Sequence, residues 1–354
     1  MIRMLMAPLL VFVIALVSAQ AETGAVPMDH QPLIIAHRGA SFERPEHTRG
    51  AYELAIAQGA DFIEPDLVMT RDGVLVARHE NEISQTTDVA SRPEFADRHT
   101  SRVIDGVSVS GWFTEDFTLA ELRTLRARER LPQLRPGNQA HEGEDGILTF
   151  AEVIAIAAEA SARLGREIGI YPELKHPAYF AARGLDMETA LLADLDAAGL
   201  NRQGAPVFIQ CFEVEPLMRL RARTPLPLVQ LLGTGAPYDR PYWSMEDILS
   251  PDGLARIATY ADALGLDKAH LLGDEAVGRQ RIAWARAHGL GVHVWTLRPE
   301  NHFLREDMRR GDRARPDYLR LQGEHGSEAR LLADMGVQGL FTDAPALTRA
   351  ALRP

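Results

Sequence analysis

From residue 33 onward, short apolar runs alternate with helical patterns, and that alternation leaves few folds open. Candidate strands span 33–37, 62–69, 168–174, 207–212, 227–232, 262–266, 291–296 and 338–342. Several are rich in Val and Ile or almost continuously apolar, as strands buried on both faces of a parallel sheet must be. Between them, 50–58, 151–164, 188–198 and 278–288 carry apolar residues at three-to-four spacing, the period of a helix with one buried face. Thr118…Glu121 and Thr149…Glu152 read as capping boxes, in which side chains satisfy the first free N–H groups of a helix. Eight strands separated by crossover helices predict an α/β chain with a TIM-type (β/α)8 barrel. An open doubly wound sheet is the alternative, but it normally carries G-x-G-x-x-G, and the sequence has none.

Two segments are longer than crossovers require. Residues 80–148 are read as a helical and loop insertion over the barrel mouth. Residues 298–330, crowded with Arg, Asp and Glu, are read either as solvated surface or as a lid. At the N-terminus, Arg3, an apolar stretch from Leu5 to Val17 and Ala19-Gln20-Ala21 form a signal-peptide pattern. The apolar stretch is too short to span a bilayer comfortably, and no later run is a membrane span. The expected organisation is a leader over 1–21 and one barrel domain over 22–354, with export to the periplasm. Export permits disulfides, yet Cys211 is the only cysteine, so no intrachain disulfide can form. Loss of the leader removes Arg3 and moves the net charge from −11 to −12. An acidic body excludes non-specific nucleic-acid binding as a function, and an anionic substrate would need local cations.

Thr70-Arg71-Asp72-Gly73 separates two extended runs, and Asp-Gly is a strong signal for a two-residue hairpin turn. With Asp72 and Gly73 as the turn, Arg71 pairs with Val74, Leu67 with Arg78 and Asp66 with His79. Glu64 shares the side of Asp66, so one hairpin gathers two carboxylates and a histidine. Clustered carboxylates are costly unless a cation joins them, and Ca²⁺ or Mg²⁺ prefers oxygen ligands. Glu173, near the end of the third strand, can add a third carboxylate, with Lys175 on its side. The competing reading is a set of ion pairs with nearby Arg and Lys. His37-Arg38-Gly39 follows the first strand, where barrel active sites form. Arg38 can bind two phosphate oxygens at once, and Gly39 lets the backbone turn close to a ligand. Cys211 reads as a packing residue, and no G-x-S-x-G elbow, H-E-x-x-H helix or P-loop is present.

Taken in order, His37-Arg38-Gly39, Pro45-Glu46-His47-Thr48, Glu64-x-Asp66, Thr70-x-Asp72-Gly73, His79-Glu80 and Glu173-x-Lys175 resemble the glycerophosphodiester phosphodiesterase family. Tyr171-Pro172-Glu173-Leu174-Lys175, Gln210-Cys211-Phe212, Trp295-Thr296 and Gly339-Leu340-Phe341-Thr342-Asp343 look like its bacterial periplasmic branch. The likeness covers roughly residues 33–345. It implies a barrel and hydrolysis of small glycerophosphodiesters to glycerol 3-phosphate and an alcohol. It implies His37 and His79 as general acid and base, and Glu64, Asp66 and Glu173 as ligands of a divalent metal, usually Ca²⁺, with Mg²⁺ the other candidate. Arg38 and Lys175 would contact phosphate, and Trp295 would line the glycerol pocket. Three positions depart from the family pattern: His47 replaces Asn, Glu80 replaces Asp, and Pro65 separates Glu64 from Asp66. Rival functions are a phospholipase D-like enzyme acting on intact lipids and a surface-binding protein that keeps the barrel without catalysis. The sequence leaves the oligomeric state open.

Overall fold

In the computed structural model, which describes residues 31–353, every predicted strand is present. In chain order the strands are β1 Leu33–His37, β2 Phe62–Glu64, β3 Asp66–Met69, β4 Leu75–Ala77, β5 Thr100–Ile104, β6 Val107–Gly111, β7 Gly169–Ile170, β8 Glu173–Leu174, β9 Ile209–Cys211, β10 Leu228–Leu232, β11 Ala263–Asp267, β12 Gly291–Leu297 and β13 Gly339–Thr342. The leader expected over residues 1–21 lies outside the described residues.

β2 and β3 are one strand interrupted at Pro65. Phe62 pairs with Gly169 and Asp66 with Glu173, so the register does not slip across the break. Proline cannot donate to the ladder, but its carbonyl still accepts, from Glu173 N at 2.9 Å. β7 and β8 likewise form one interrupted strand. Parallel pairing then runs from β8 through β9, β10, β11, β12 and β13, and β13 pairs with β1, which closes the ring. Helices Arg49–Ala57, Phe150–Leu164, Met187–Ala197 and Glu275–Ala287 fall where the periodicity puts them. Both capping boxes form as read.

Two packed layers hold the barrel. Between strands and helices lies a continuous apolar core that includes Ile63, Val68, Phe150, Leu191 and Leu340. Burying each such side chain contributes roughly 1.5–3 kcal/mol. Inside the ring, Ile35, Tyr171, Val229, Ala263 and Phe341 fill the space below the mouth. Glycines make room there: a Cβ on Gly339 would stand 2.8 Å from the His293 ring, and one on Gly265 would stand 2.4 Å from Leu231. The interior is therefore a packed plug, and ligands must bind at the strand ends above it.

The hairpin after β3 departs from expectation. Leu67 pairs with Ala77, Val68 with Val76 and Met69 with Leu75, one residue out of the expected register. The loop has three residues, with Gly73 at φ 80° and the Thr70 N–H bonded to the Val74 carbonyl. This is a type I turn followed by a left-handed glycine. Thr70 and the Leu119 N–H both hydrogen bond to Asp72 Oδ1, at 2.6 and 3.0 Å, and hold it in this geometry. Asp66 therefore stands opposite Arg78, not His79, and its carbonyl accepts from Arg78 N at 2.9 Å.

Residues 80–148 form the expected insertion. They contain the β5–β6 hairpin, whose Asp105-Gly106 turn has both residues at positive φ, and several single-turn helices. Arg130 of this segment pairs with Glu46 and Glu80, and Arg135 with Asp343 just past β13. Residues 298–330 contain only single helical turns before the helix His325–Met335. Arg298 and Phe303 border the mouth, whereas Arg313–Glu306 and Arg315–Asp317 are surface ion pairs.

Candidate active site

His37 and Glu64 end β1 and β2, Asp66 opens β3, and Glu173 opens β8. The register places Glu64 beside His37 and Glu173 beside Asp66. One oxygen each from Glu64, Asp66 and Glu173 lies within 4.8 Å of the others, and all three side chains are buried. The ordered break at Pro65 carries two neighbouring carboxylates into one cleft at the barrel mouth.

The electrostatics of this cluster suit a divalent cation. Burial and the neighbouring Asp66 and Glu173 charges hold Glu64 well above the usual carboxylate range. Burial pushes Glu173 up to about 8, with Lys175 opposing and Asp66 adding to the rise. Burial also opposes the charge on Asp66, but Lys175, Arg38 and His79 outweigh it and hold the group low. Asp66 Oδ1 is buried without a hydrogen-bond partner. Three hard oxygen donors, one of them orphaned, suit a divalent cation. Lys175 Nζ is 2.7 Å from Glu173 Oε1 and 3.6 Å from Asp66 Oδ1, so the ion pairs of the competing reading exist too. They leave the cluster with fewer cations than carboxylates.

Both histidines reach the site. His37 Nδ1 lies 2.6 Å from Asp343 Oδ1. Burial opposes ionisation of Asp343, but Arg298 and Arg135 hold it as a carboxylate, which can only accept. The Nδ1 proton is therefore on His37, and Nε2 carries a lone pair. Burial, then Arg38, pushes His37 down to about 4. His79 arrives differently from expectation, in the loop beyond β4 rather than directly across from Asp66. Its Nδ1 is 2.5 Å from Glu80 Oε1, and Arg130 pairs with the same oxygen. Burial opposes the charge on Glu80, but His79 and Arg130 hold it at about 2. Burial, Arg38 and Lys175 push His79 down to about 3.

Arg38 sits at φ 61° with its backbone N–H bonded to Glu64 Oε2 at 2.9 Å. Its Nη1 bonds to Glu46 Oε2 at 3.0 Å. Its Nε lies 3.0 Å from Asp66 Oδ2, an ion pair without hydrogen-bond alignment. Trp295 donates Nε1–H to the Gly265 carbonyl at 2.9 Å and meets Phe212 edge-to-face at 5.7 Å. His37, Arg38, Glu64, His79, Glu173, Lys175 and Trp295 all line one cavity of about 570 Å3. Cys211 is a buried packing residue with its thiol pushed up by burial, as read.

Several contributors carry no role in the sequence reading. Asp343 orients His37, and Arg135, Arg298 and Glu300 in turn hold Asp343 and one another. Gln210 Nε2 donates to Glu64 Oε1 at 3.0 Å. His47, in place of the usual Asn, donates Nε2–H to Asp66 Oδ2 at 2.9 Å while Nδ1 accepts from the Tyr52 hydroxyl at 2.8 Å. Asp343 was within reach of sequence reasoning, because it is the residue after β13 just as His37 ends the adjacent β1. Arg135 carried no such signal, since nothing in its surroundings has a period or motif.

Residues 37–347 match the family model described as the glycerophosphoryl diester phosphodiesterase family. A glycerophosphodiester phosphodiesterase of Arabidopsis thaliana is 34% identical over 340 residues, covering 88% of this chain and 84% of that protein. One from Haemophilus influenzae is 28% identical, covering 90% and 89%. Among solved structures, an Oleispira antarctica phosphodiesterase in complex with the product sn-glycerol-3-phosphate has a TM-score of 0.60 at 20% identity, covering 91% of this chain and 97% of that one. A glycerophosphodiester phosphodiesterase from Agrobacterium tumefaciens has a TM-score of 0.55 at 20% identity, covering 90% and 99%. At those identities the structures share the barrel fold. With a family match over nearly all of the described residues, and a barrel mouth built as above, the chain belongs to the glycerophosphoryl diester phosphodiesterase family.

Proposed function

We propose that this enzyme hydrolyses glycerophosphodiesters to sn-glycerol 3-phosphate and an alcohol, with a divalent cation and the His37–His79 pair. The observation that carries the reading is the meeting of the carboxylate triad with two histidines whose Nδ1–H groups are each held by a carboxylate. Glu64, Asp66 and Glu173 would hold the cation, which supplies charge stabilisation at the phosphate oxygens. The family resemblance favours Ca²⁺ over Mg²⁺.

Arg38 and Lys175 add fixed positive charge around the phosphate position. Each histidine keeps a free Nε2 directed by its Nδ1 bond. The histidine acting as base takes up, on its Nε2, a proton from the attacking hydroxyl. The one acting as acid first takes up a proton from solvent on its own Nε2, becoming an imidazolium, and gives that proton to the leaving alcohol. The P–O bond to the head-group alcohol breaks, and the oxygen of water ends on phosphorus. Water attack and a cyclic route through the glycerol 2-hydroxyl give the same products.

A leader cleaved after Ala21 would deliver the enzyme to the periplasm with Glu22 first. N-terminal sequencing of the mature protein checks this, and an intact Met1 contradicts it. For the activity, a coupled assay for sn-glycerol 3-phosphate compares glycerophosphocholine with phosphatidylcholine vesicles. Release from glycerophosphocholine alone is expected. Choline release from intact lipid at an equal rate would favour the phospholipase D-like reading, and inertness on every diester would favour the binding protein.

A further inference from the structure

The Nδ1 partners of the two histidines come from different elements, Asp343 after β13 and Glu80 after β4. Each is gripped by an arginine from one loop of the insertion. Arg130 pairs with Glu80 Oε1, the oxygen that His79 uses, and its Nη1 reaches Glu46 Oε1 at 3.2 Å. Arg135 donates from Nη2 to Asp343 Oδ2 at 2.6 Å, from Nε to Glu300 Oε1 at 2.6 Å and from Nη1 to the Ser41 carbonyl at 2.9 Å. Its side chain is buried. The Ser41 hydroxyl in turn donates to the His37 carbonyl at 3.0 Å. The loop that carries both arginines is tied to itself. Buried Glu129 accepts from the Leu131 N–H at 2.6 Å and from Asn138 Nδ2 at 2.8 Å, and the Arg135 N–H donates to the Leu131 carbonyl at 2.8 Å. Neither arginine lines the cavity, so neither stands where substrate binds.

We propose that the 129–138 loop is a clip that sets the direction of both imidazoles, with Arg135 as the positioning residue for His37 and Arg130 for His79. The inference rests on the His37–His79 reading above. Arg298 also holds Asp343 Oδ2, at 2.9 Å, so Asp343 keeps a cation without Arg135. What Arg135 adds is direction, because a planar fork fixed on three sides stops the carboxylate from turning. Among the described residues Arg130 is the only arginine or lysine paired with Glu80, so the His79 arm depends on it alone.

Each arginine variant should copy the defect of its own histidine. Arg135→Lys keeps a cation beside Glu300 and Asp343 but cannot span all three partners. Arg130→Met removes a side chain that is 25% exposed, and its melting curve should not change. Both variants are expected to lower kcat about tenfold with KM unchanged. Rates are compared for glycerophosphocholine and for the para-nitrophenyl ester of sn-glycerol 3-phosphate, whose phenolate leaves without a proton. The ester relieves loss of the general acid but not loss of the general base. Arg135→Lys is expected to recover on the ester only if His37→Ala does, and Arg130→Met only if His79→Ala does. Recovery that follows the other histidine, or an unchanged kcat in either variant, overturns the clip. Nitrogen NMR of the imidazole rings reads the same positions without turnover. The His37 ring signals should move in Arg135→Lys and the His79 signals in Arg130→Met, each with the other ring unchanged. Rings undisturbed in both variants overturn the clip as well. Ring signals that move as expected, in an enzyme that hydrolyses neither diester, would instead overturn the parent reading.

Discussion

At the residue scale the site depends on side chains that hold its histidines and carboxylates in place. Asp343 keeps the His37 proton on Nδ1, and Arg135 and Arg298 keep Asp343 ionised. Asp343→Asn preserves size but can donate to His37, which places the imidazole lone pair on the wrong nitrogen. The expected result is a fall in kcat on the order of a hundredfold or more with little change in KM. A variant with wild-type kcat would remove Asp343 from the mechanism. His47 illustrates what sequence comparison by eye obscures. As a departure from the family's Asn it casts doubt on the geometry, yet its Nε2–H fixes Asp66 Oδ2 and leaves Oδ1 without a partner. His47→Ala should weaken divalent-cation binding about tenfold, read by calorimetry, because outer partners orient ligands. Unchanged affinity would show that Asp66 is held well enough by its strand.

Elements show where sequence signals were sufficient and where they were not. The eight strands were legible because buried parallel strands leave near-continuous apolar runs, and the interrupted strand 62–69 kept its register through Pro65. The hairpin register was not legible. The same Asp-Gly pair makes a two-residue turn at 105–106 and part of a three-residue loop at 71–73. What separates them is one local and one tertiary contact: the Thr70 hydroxyl, two residues away, and the distant Leu119 N–H both bind Asp72. His79 still reaches the cleft because it lies past the end of β4, where pairing no longer dictates its side. Gly39 tests how closely an element's end controls the site. It sits at φ 87°, and a Cβ there would stand 2.7 Å from the Ala51 carbonyl carbon. Gly39→Ala should cost on the order of 2 kcal/mol in urea denaturation, plus activity, because His37 and Arg38 directly precede it. Gly73→Ala, also at positive φ but in open space, should cost about 1 kcal/mol and leave activity intact. Equal costs at both positions would mean the contact with Ala51 relaxes freely.

For the whole molecule, an acidic chain of net charge −11 concentrates three carboxylates where an anionic substrate must bind. In the proposed function a divalent cation would resolve that conflict, and linkage gives its signature. In the metal-free fold Glu173 is raised from the usual 4.5 to about 8, and Glu64 is raised as well. Across that window the folded chain keeps protons that the unfolded chain has released. The contribution of these groups to stability therefore falls as pH rises through it. A bound cation removes the penalty, so its stabilising effect on the melting temperature should grow between about pH 5 and about pH 8. A shift independent of pH would separate the cation from the triad. The triad itself was legible in outline, Glu64 and Asp66 from spacing and Glu173 as a possible third. The partners behind the mouth were not, because Arg130, which pairs with Glu80, and Arg135, which pairs with Asp343, arrive from an insertion whose path no local pattern encodes. The most direct measurement of the central claim is sn-glycerol 3-phosphate release from glycerophosphocholine before chelation, after chelation, and after a divalent cation is restored. Loss and full recovery in the wild type, with no release at any stage from His37→Ala, is the predicted result. Chelator-resistant release, or release by His37→Ala at the wild-type rate, would contradict it.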